Sequence, residues 1–323
     1  EDAYAFVSGP AMVEQFTGLP VDHDDLGGPS IHATKSGVVT AVVADEDAAK
    51  ELVGEILSYL PTSNAELAPF RPTTDSVDRP CPQLRNIVPT NPSGSYDVRD
   101  VLEVIADDQL ITELRGQWAG NLITAFANVG GYAVGIVANQ PQVLAGTLDI
   151  AASQKGARFV SLCDAFNVPL LTFVDTPGFQ PGKDLEWRGM IRHGAQLAFA
   201  YARASVPRIS VTLRKSYGGA YIVMDSKTMG NDIAMAWPSA EIAVMGAKGA
   251  VEILHRRASA EERVQIEADY DARLLNPYVA AERGSIDMVI DPADTRKQIA
   301  EALDLLASKR ERLPRRRHGN SPL

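Results

Sequence analysis

Residues 209–223 have the pattern of a strand that turns through small residues into a helix. Ile209, Val211 and Leu213 alternate with polar residues, which predicts a half-buried strand. Residues 218–220 are Gly-Gly-Ala, and an apolar run that can form a helix follows them. The first N–H groups of a helix have no intrahelical acceptor, and the helix dipole adds partial positive charge there. The pattern therefore predicts either an oxyanion hole or a tight turn that packs a helix onto a sheet.

The chain after residue 96 alternates apolar strand patterns with amphipathic helix patterns. Strands are predicted over 132–139 and 170–175, and helices over 151–166 and 190–204. This alternation is typical of the α/β class. Periodicity alone does not choose between a doubly wound sheet and a crotonase-like spiral.

Composition excludes several classes of function. The net charge of −10 argues against nucleic acid as the main partner, and no apolar run is long enough to span a membrane. Cys81 and Cys163 form neither a disulfide framework nor a metal motif, and His32, His193 and His255 lack metal-ligand spacing. We therefore expect a cytoplasmic protein with no metal, no membrane partner and no nucleic-acid partner.

Several long motifs resemble one protein family in their order and spacing. They occupy residues 173–182 (FVDTPGFQPG), 189–195 (GMIRHGA), 214–221 (RKSYGGAY), 236–238 (AWP) and 241–247 (EIAVMGA). Together they resemble the carboxyltransferase (β) subunit of biotin-dependent acyl-CoA carboxylases of the acetyl-/propionyl-CoA type. The final residues 318–323 (HGNSPL) also resemble the end of that family, with Ser321 where isoleucine is usual. The resemblance implies a crotonase-like ββα spiral.

The chain also resembles itself. Residues 4–16 match 242–254, and residues 37–50 match 284–297, at offsets of roughly 240 residues. Each copy is expected to have two strands that each lead into a helix, so strands are predicted over 4–7 and 37–43. We interpret 1–70 as the remnant of a first crotonase-like domain, 71–95 as a Pro-rich linker and 96–323 as the second, C-terminal carboxyltransferase domain. Roughly 140 residues of the first domain are expected to precede Glu1.

The resemblance implies a reaction and an assembly. The family moves a carboxyl group from carboxybiotin to the α-carbon of a short-chain acyl-CoA, here acetyl-CoA or propionyl-CoA, giving malonyl-CoA or methylmalonyl-CoA. It resembles ligases that serve fatty acid biosynthesis. Its active site lies between the first domain of one subunit and the second domain of another. We therefore expect a homo-oligomer of paired subunits, up to a hexamer, and no activity from this stretch alone.

Site residues follow from the matching motifs. The resemblance implies that the peptide N–H groups of Gly219 and Ala220, next to Gly218, form the oxyanion hole for biotin. Phe179 matches an aromatic residue that packs near the biotin ring, although packing within its own loop is an equal alternative. His193 is interpreted as a histidine that orients the loop rather than as a general base.

The residues around the hole offer further candidates. Tyr217 and Tyr221 flank the hole and either order it or only pack against it. Ile222 matches an acyl-chain selector, and an isoleucine there favours acetyl-CoA or mixed acetyl-CoA and propionyl-CoA use. One methylene in an apolar pocket changes specificity only about 10–200-fold, so Ile222 by itself carries little discrimination.

Motifs that the sequence lacks define the expected partners. It contains no Gly-rich P-loop for ATP and no Met-Lys-Met biotinylation motif. Biotin carboxylation and the biotin carrier are therefore expected on an α subunit. Three alternatives stay open: a transcarboxylase, a biotin-dependent decarboxylase component, and a truncated chain that assembles without catalysis.

Overall fold

The structure is a computed structural model that describes residues 3–91, 93–311 and 320–322; only the backbone is described for residues 271 and 272. Residues 318, 319 and 323 of the predicted C-terminal motif lie outside the described residues. None of the described helices is both long and apolar enough to cross a membrane.

A mixed sheet forms the centre of the fold. Its strands follow the order β1-β2-β3-β4-β5-β6-β8, and β7 pairs with the end of β5. The pairs β1–β2 and β2–β3 are antiparallel, whereas every pairing from β3 onward is parallel. The strands are β1 (Ile111–Glu113), β2 (Leu122–Val129), β3 (Tyr132–Asn139), β4 (Leu170–Thr176), β5 (Arg208–Tyr217), β6 (Ile233–Ala236), β7 (Glu241–Ala243) and β8 (Met288–Val289).

Helices cover both faces of this sheet. The connections from β3 to β4 and from β4 to β5 each pass through a long helix, as parallel strands require. The helices are α1 (Pro10–Thr17), α2 (His23–Gly27), α3 (Pro29–Ile31), α4 (Glu46–Leu57), α5 (Leu84–Ile87), α6 (Val98–Ile105), α7 (Ile150–Ala165), α8 (Lys183–Trp187), α9 (Met190–Arg203), α10 (Gly218–Val223), α11 (Ala247–Leu254), α12 (Ala260–Tyr270), α13 (Pro277–Glu282) and α14 (Thr295–Leu306).

The α/β class predicted from the sequence is confirmed, and several elements match closely. The strand predicted over 132–139 is β3, residue for residue, and the one over 170–175 is β4. The helices predicted over 151–166 and 190–204 are α7 and α9, displaced by one residue at most. These segments have strong periodicity and buried faces, so local pattern and tertiary packing agree.

The burial predicted for β5 was wrong. Ile209, Val211 and Leu213 pack into the core beneath α6 and α14, as alternation predicts. The intervening Ser210 and Thr212 are also buried, because α7 and α9 cover the opposite face around a second core. Strand β5 is therefore a central strand buried on both sides rather than a half-buried one.

The strands predicted over 4–7 and 37–43 were also wrong, because neither segment forms a ladder. Each makes isolated backbone hydrogen bonds instead, Ala5 N to Gly27 O at 3.0 Å and Arg115 N to Thr40 O at 2.8 Å. The helices expected after them are present as α1 and α4, and α4 and α14 each contain 12 residues.

Candidate functional site

The predicted turn lies where β5 ends and α10 begins. Tyr217 is extended, and Gly218 has φ +62°, a conformation that favours glycine. A Cβ on Gly218 would also lie 3.1 Å from the carbonyl oxygen of Val244. Gly219 is exposed and Ala220 is buried. No turn or loop hydrogen bond within the described residues engages the N–H of Gly219 or Ala220, as is usual for the first N–H groups of a helix.

The ring of Phe179 forms a wall beside this turn. Its backbone is fixed by a bridge to Leu148, with Leu148 N to Gly178 O at 3.1 Å and Gln180 N to Leu148 O at 2.9 Å. A Cβ placed on Gly219 would lie 3.3 Å from the Phe179 ring, and one on Gly194 would lie 3.0 Å from it. The glycines of α9 and α10 thus allow an aromatic ring to pack between the two helix starts.

His193 is held by polar side chains on the outer side of α9. Its Nδ1 lies 3.3 Å from Gln154 Nε2 and 3.2 Å from Gln196 Oε1. Gln196 in turn donates to the Pro322 carbonyl at 3.1 Å. Within the described part of the chain, no hydrogen bond links His193 to the first turn of α10. The Nε2 of His193 lies 3.5 Å from Arg192 Nη2, and the role of His193 stays a prediction.

The other predicted site residues, Tyr217, Tyr221 and Ile222, lie in three different environments. The Tyr217 hydroxyl donates to the Glu241 carboxylate, and its ring packs against Gly246, whose Cβ position lies 3.2 Å away. The Tyr221 hydroxyl donates to the Ser285 carbonyl at 3.5 Å, and burial raises the pKa of Tyr221. Both tyrosines therefore pack the turn against neighbouring elements. Ile222, with 44% of its surface exposed, is the one that faces outward.

The sequence analysis assigned no role to a buried ion pair that lies beneath the site. The Asp175 carboxylate at the end of β4 accepts from Arg214 Nε at 3.0 Å, Tyr96 Oη at 2.9 Å and Lys215 N at 3.1 Å. Burial raises the pKa of Asp175, and the Arg214 charge opposes that shift. Arg214 also donates to the Gly94 carbonyl at 2.8 Å. The pair fixes the ends of β4 and β5, where the turn begins. The sequence did contain a signal for this pair, because Asp175 and Arg214 are charged residues within two otherwise apolar strand patterns.

A second buried ion pair anchors the far end of α10. Asp225 Oδ1 lies 2.7 Å from Arg208 Nη1, and Asp225 Oδ2 lies 2.8 Å from Asn231 Nδ2. Burial raises the pKa of Asp225 to about 6. Helix α10 is thus fixed at both ends by the strands around it. In the described ranges, no group of three His, Cys, Asp or Glu residues is arranged to bind a metal ion.

Comparison with known proteins gives a consistent result. The family model for the carboxyl transferase domain matches residues 1–321. The propionyl-CoA carboxylase beta chain of Saccharopolyspora erythraea is 46% identical over 100% of this chain and 62% of its own length. The methylmalonyl-CoA carboxyltransferase 12S subunit of Propionibacterium freudenreichii subsp. shermanii is 47% identical over 99% of this chain and 62% of its own length.

A solved structure agrees with the sequence relatives. The transcarboxylase 12S hexamer, with hydrolysed methylmalonyl-coenzyme A bound, superposes with a TM-score of 0.96 at 48% identity. That superposition covers 99% of this chain and 63% of the solved one. The chain thus spans about three fifths of the length of the relatives it matches.

Proposed function

Because this chain belongs to the carboxyl transferase domain family, we propose that the protein transfers a carboxyl group from carboxybiotin to the α-carbon of propionyl-CoA. The product is methylmalonyl-CoA. The observation that carries this proposal is the start of α10, where the N–H groups of Gly219 and Ala220 make no turn or loop hydrogen bond among the described residues and the Phe179 ring lies beside Gly219. Two relatives are named for propionyl-CoA and methylmalonyl-CoA chemistry, which favours this pair over acetyl-CoA.

The residues at the turn fit biotin. Biotin, when bound, supplies the carboxyl group and accepts negative charge on its ureido oxygen. The N–H groups of Gly219 and Ala220 donate to that oxygen, and the dipole of α10 adds positive potential. In enzymes with such holes, removing one donor costs about 2.7–4 kcal/mol of transition-state stabilisation. The ring of Phe179 would lie beside the bound ureido ring and would help to exclude water from its oxygen.

The acyl-CoA is proposed to lie on the open side of the turn. Ile222 follows the hole in α10 and has 44% of its surface exposed, and we propose that it contacts the acyl chain. The second oxyanion hole, for the thioester enolate, is supplied by a first domain of the same fold. We assign residues 1–70 to the end of such a domain, 71–95 to the linker and 96–323 to the carboxyltransferase domain.

Exposed apolar side chains on α8, on α9 and after β7 support assembly with other subunits. Trp187, Ile191 and Val244 expose 76%, 81% and 78% of their surfaces. Large apolar side chains that are exposed to this extent are candidates for burial in an interface. We propose a homo-oligomer, of which the relative's hexamer is the guide, and a biotin carboxylase and biotin carrier α subunit as the other partner.

The test uses the full-length assembled protein and free biotin. Loss of the carboxyl group from methylmalonyl-CoA should depend on added biotin. Gly219→Val should reduce that rate at least 100-fold, because its side chain meets Phe179 and narrows the hole. Gly249→Ala, where a Cβ meets only the Met245 sulfur at 4.0 Å, is the matched control and should keep the wild-type rate. A Gly219→Val variant with normal turnover would refute the placement of the hole.

A transcarboxylase is the second candidate, favoured by the TM-score of 0.96 to the transcarboxylase 12S structure. The two functions differ in what carboxylates biotin. A carboxylase partner uses bicarbonate and ATP, whereas a transcarboxylase partner takes the carboxyl group from a keto acid. Carboxylation of the carrier in a purified native complex, with each donor supplied alone, distinguishes them. An assembled full-length complex with neither activity would favour the non-catalytic alternative.

A further inference from the structure

A side-chain hydrogen bond joins two connections at the carboxyl end of the sheet. The Thr147 hydroxyl, in the connection between β3 and α7, donates to Gln180 Oε1 at 2.7 Å. Thr147 is buried, and Gln180 follows Phe179 directly in the chain. Within the residues that the structure describes, this is the one hydrogen bond that the Gln180 side chain makes.

The hydroxyl proton of Thr147 is available to Gln180. The hydroxyl oxygen of Thr147 also lies 2.8 Å from the Leu144 carbonyl oxygen, but a hydroxyl has only one proton to donate. The Leu144 carbonyl already accepts from Thr147 N at 3.0 Å. Donation of the hydroxyl proton to Gln180 therefore gives both acceptors a partner, as buried polar groups require.

The connection that carries Thr147 is fixed to the sheet. Asn121 Nδ2, just before β2, donates to the Thr147 carbonyl at 2.8 Å. Asn139 Nδ2, at the end of β3, donates to the Gly146 carbonyl at 3.1 Å. A Cβ on Gly146 would lie 2.5 Å from the Asp175 carbonyl oxygen, so the connection packs directly on β4. The Thr147 hydroxyl is therefore a fixed donor for the loop that follows β4.

The loop after β4 has two further attachments to the same connection, and both are made by the backbone. Leu148 N donates to the Gly178 carbonyl, and Gln180 N donates to the Leu148 carbonyl. Two hydrogen bonds define an axis about which the loop can tilt. The Thr147 hydroxyl adds a third attachment, from a different residue, and it restricts that tilt. Phe179 lies between the two backbone hydrogen bonds, so the tilt of the loop sets the position of its ring.

We propose that Thr147 and Gln180 are positioning residues for the carboxyl transfer and that they act through the ring of Phe179. Their hydrogen bond holds the ring beside Gly219, where a Cβ would lie 3.3 Å from it. Loss of the bond lets the ring move, which weakens the binding of biotin but not the binding of the acyl-CoA. This inference rests on the function proposed above.

The test follows biotin-dependent loss of the carboxyl group from methylmalonyl-CoA, catalysed by the full-length assembled protein. Thr147→Val keeps the shape of the side chain but removes the hydroxyl. It should raise the KM for free biotin about fivefold, which is typical of one lost neutral hydrogen bond. The kcat and the KM for methylmalonyl-CoA should stay within about twofold of the wild-type values. Thr147→Ser restores the hydroxyl and should restore the KM for biotin.

Thr124→Val is the matched control for the loss of a buried threonine hydroxyl. The Thr124 hydroxyl donates to the Leu114 carbonyl at 3.0 Å, and Thr124 lies in β2, away from the loop after β4. This variant should keep the wild-type KM for biotin. Gln180→Met removes the other partner of the bond and should raise the KM for biotin as much as Thr147→Val does. The two changes together should have no larger effect than either alone, because both remove the same bond.

A Phe179→Leu background shows whether the effect passes through the ring. There, Thr147→Val should raise the KM for biotin no further. The inference is overturned if neither Thr147→Val nor Gln180→Met raises this KM, or if Thr147→Val raises it equally with and without the Phe179 ring. If Thr147→Val does not assemble, Gln180→Met alone decides in the same two backgrounds. Wild-type protein without biotin-dependent turnover would instead overturn the proposed function, and this inference with it.

Discussion

The ring of Phe179 lies 3.3 Å from the position that a Cβ on Gly219 would occupy. This contact joins the loop after β4 to the first turn of α10, and it sets the width of the proposed biotin site. Glycine at 219 is required by this close approach rather than by its backbone, since its φ lies outside the left-handed region. Substitutions at Gly219 and at Phe179 should therefore have coupled effects on biotin-dependent turnover.

Gly219→Ala should lower biotin-dependent turnover about tenfold, because the ring must move by a few tenths of an ångström. Phe179→Leu should lower turnover by itself through loss of the wall. In the double variant the two losses should not add, and the coupling energy should be about 1 kcal/mol. Turnover of all four proteins, at equal assembly, measures this coupling. Strict additivity would mean that the two residues act independently.

Gly218→Ala should destabilise the protein by about 1–3 kcal/mol, because alanine at φ +62° is strained and its Cβ meets the Val244 carbonyl. Gly54→Ala in α4 is the matched control, since no atom lies within 4 Å of its Cβ position. That change should stabilise the protein by up to about 1 kcal/mol. Urea unfolding of each variant gives both values, and equal effects would contradict the predicted strain.

Arg214→Met should cost about 3–5 kcal/mol, because it leaves the Asp175 carboxylate buried without a charged partner. Arg85→Met, which breaks the exposed pair with Asp291, should cost at most about 1 kcal/mol. Thermal and urea unfolding compare the two variants. A loss of the same size from both would mean that the Asp175–Arg214 pair contributes no more than a surface pair.

The raised pKa of Asp225 predicts that the stability of the protein depends on pH in the acid range. Burial raises its pKa from 3.8 to about 6, so between these values the folded protein binds more protons than the unfolded chain. The contribution of Asp225 to the free energy of unfolding therefore falls as pH rises through this range, and stays low above pH 6. Asp225→Asn should remove this part of the slope. Unfolding from pH 4 to pH 7 checks it, and an unchanged slope would show that Asp225 does not titrate there.

The sequence predicted the family and the fold. It did not predict the buried ion pair that holds the site in place. The resemblance to biotin-dependent carboxyltransferase subunits and the crotonase-like α/β class are confirmed by the family match and by the solved relative. Strand β3 was predicted to the residue because an unbroken apolar run fixes it. The role of Asp175 and Arg214 was missed because their direct contact, and the hydrogen bond from Tyr96 to Asp175, join residues far apart in the chain.

The errors have a common physical origin in tertiary contacts. Alternation in β5 indicated one buried face, but helices cover both sides of the sheet, so the polar alternate residues are buried too. Residues 4–7 and 37–43 have strand-like composition, yet a strand exists only where a neighbouring ladder satisfies its backbone groups. The roles of Gly219, Ala220, Phe179, His193 and Ile222 stay predictions that the variants above test.

The most direct test is the exchange of a labelled carboxyl group between an acyl-CoA and free biotin, catalysed by the full-length assembled protein. Methylmalonyl-CoA and malonyl-CoA, each labelled in the free carboxyl group, are supplied in parallel with and without biotin. We predict label loss that depends on biotin and is faster from methylmalonyl-CoA. Label loss that is absent for both substrates, or that is unchanged when biotin is omitted, would contradict the proposed function.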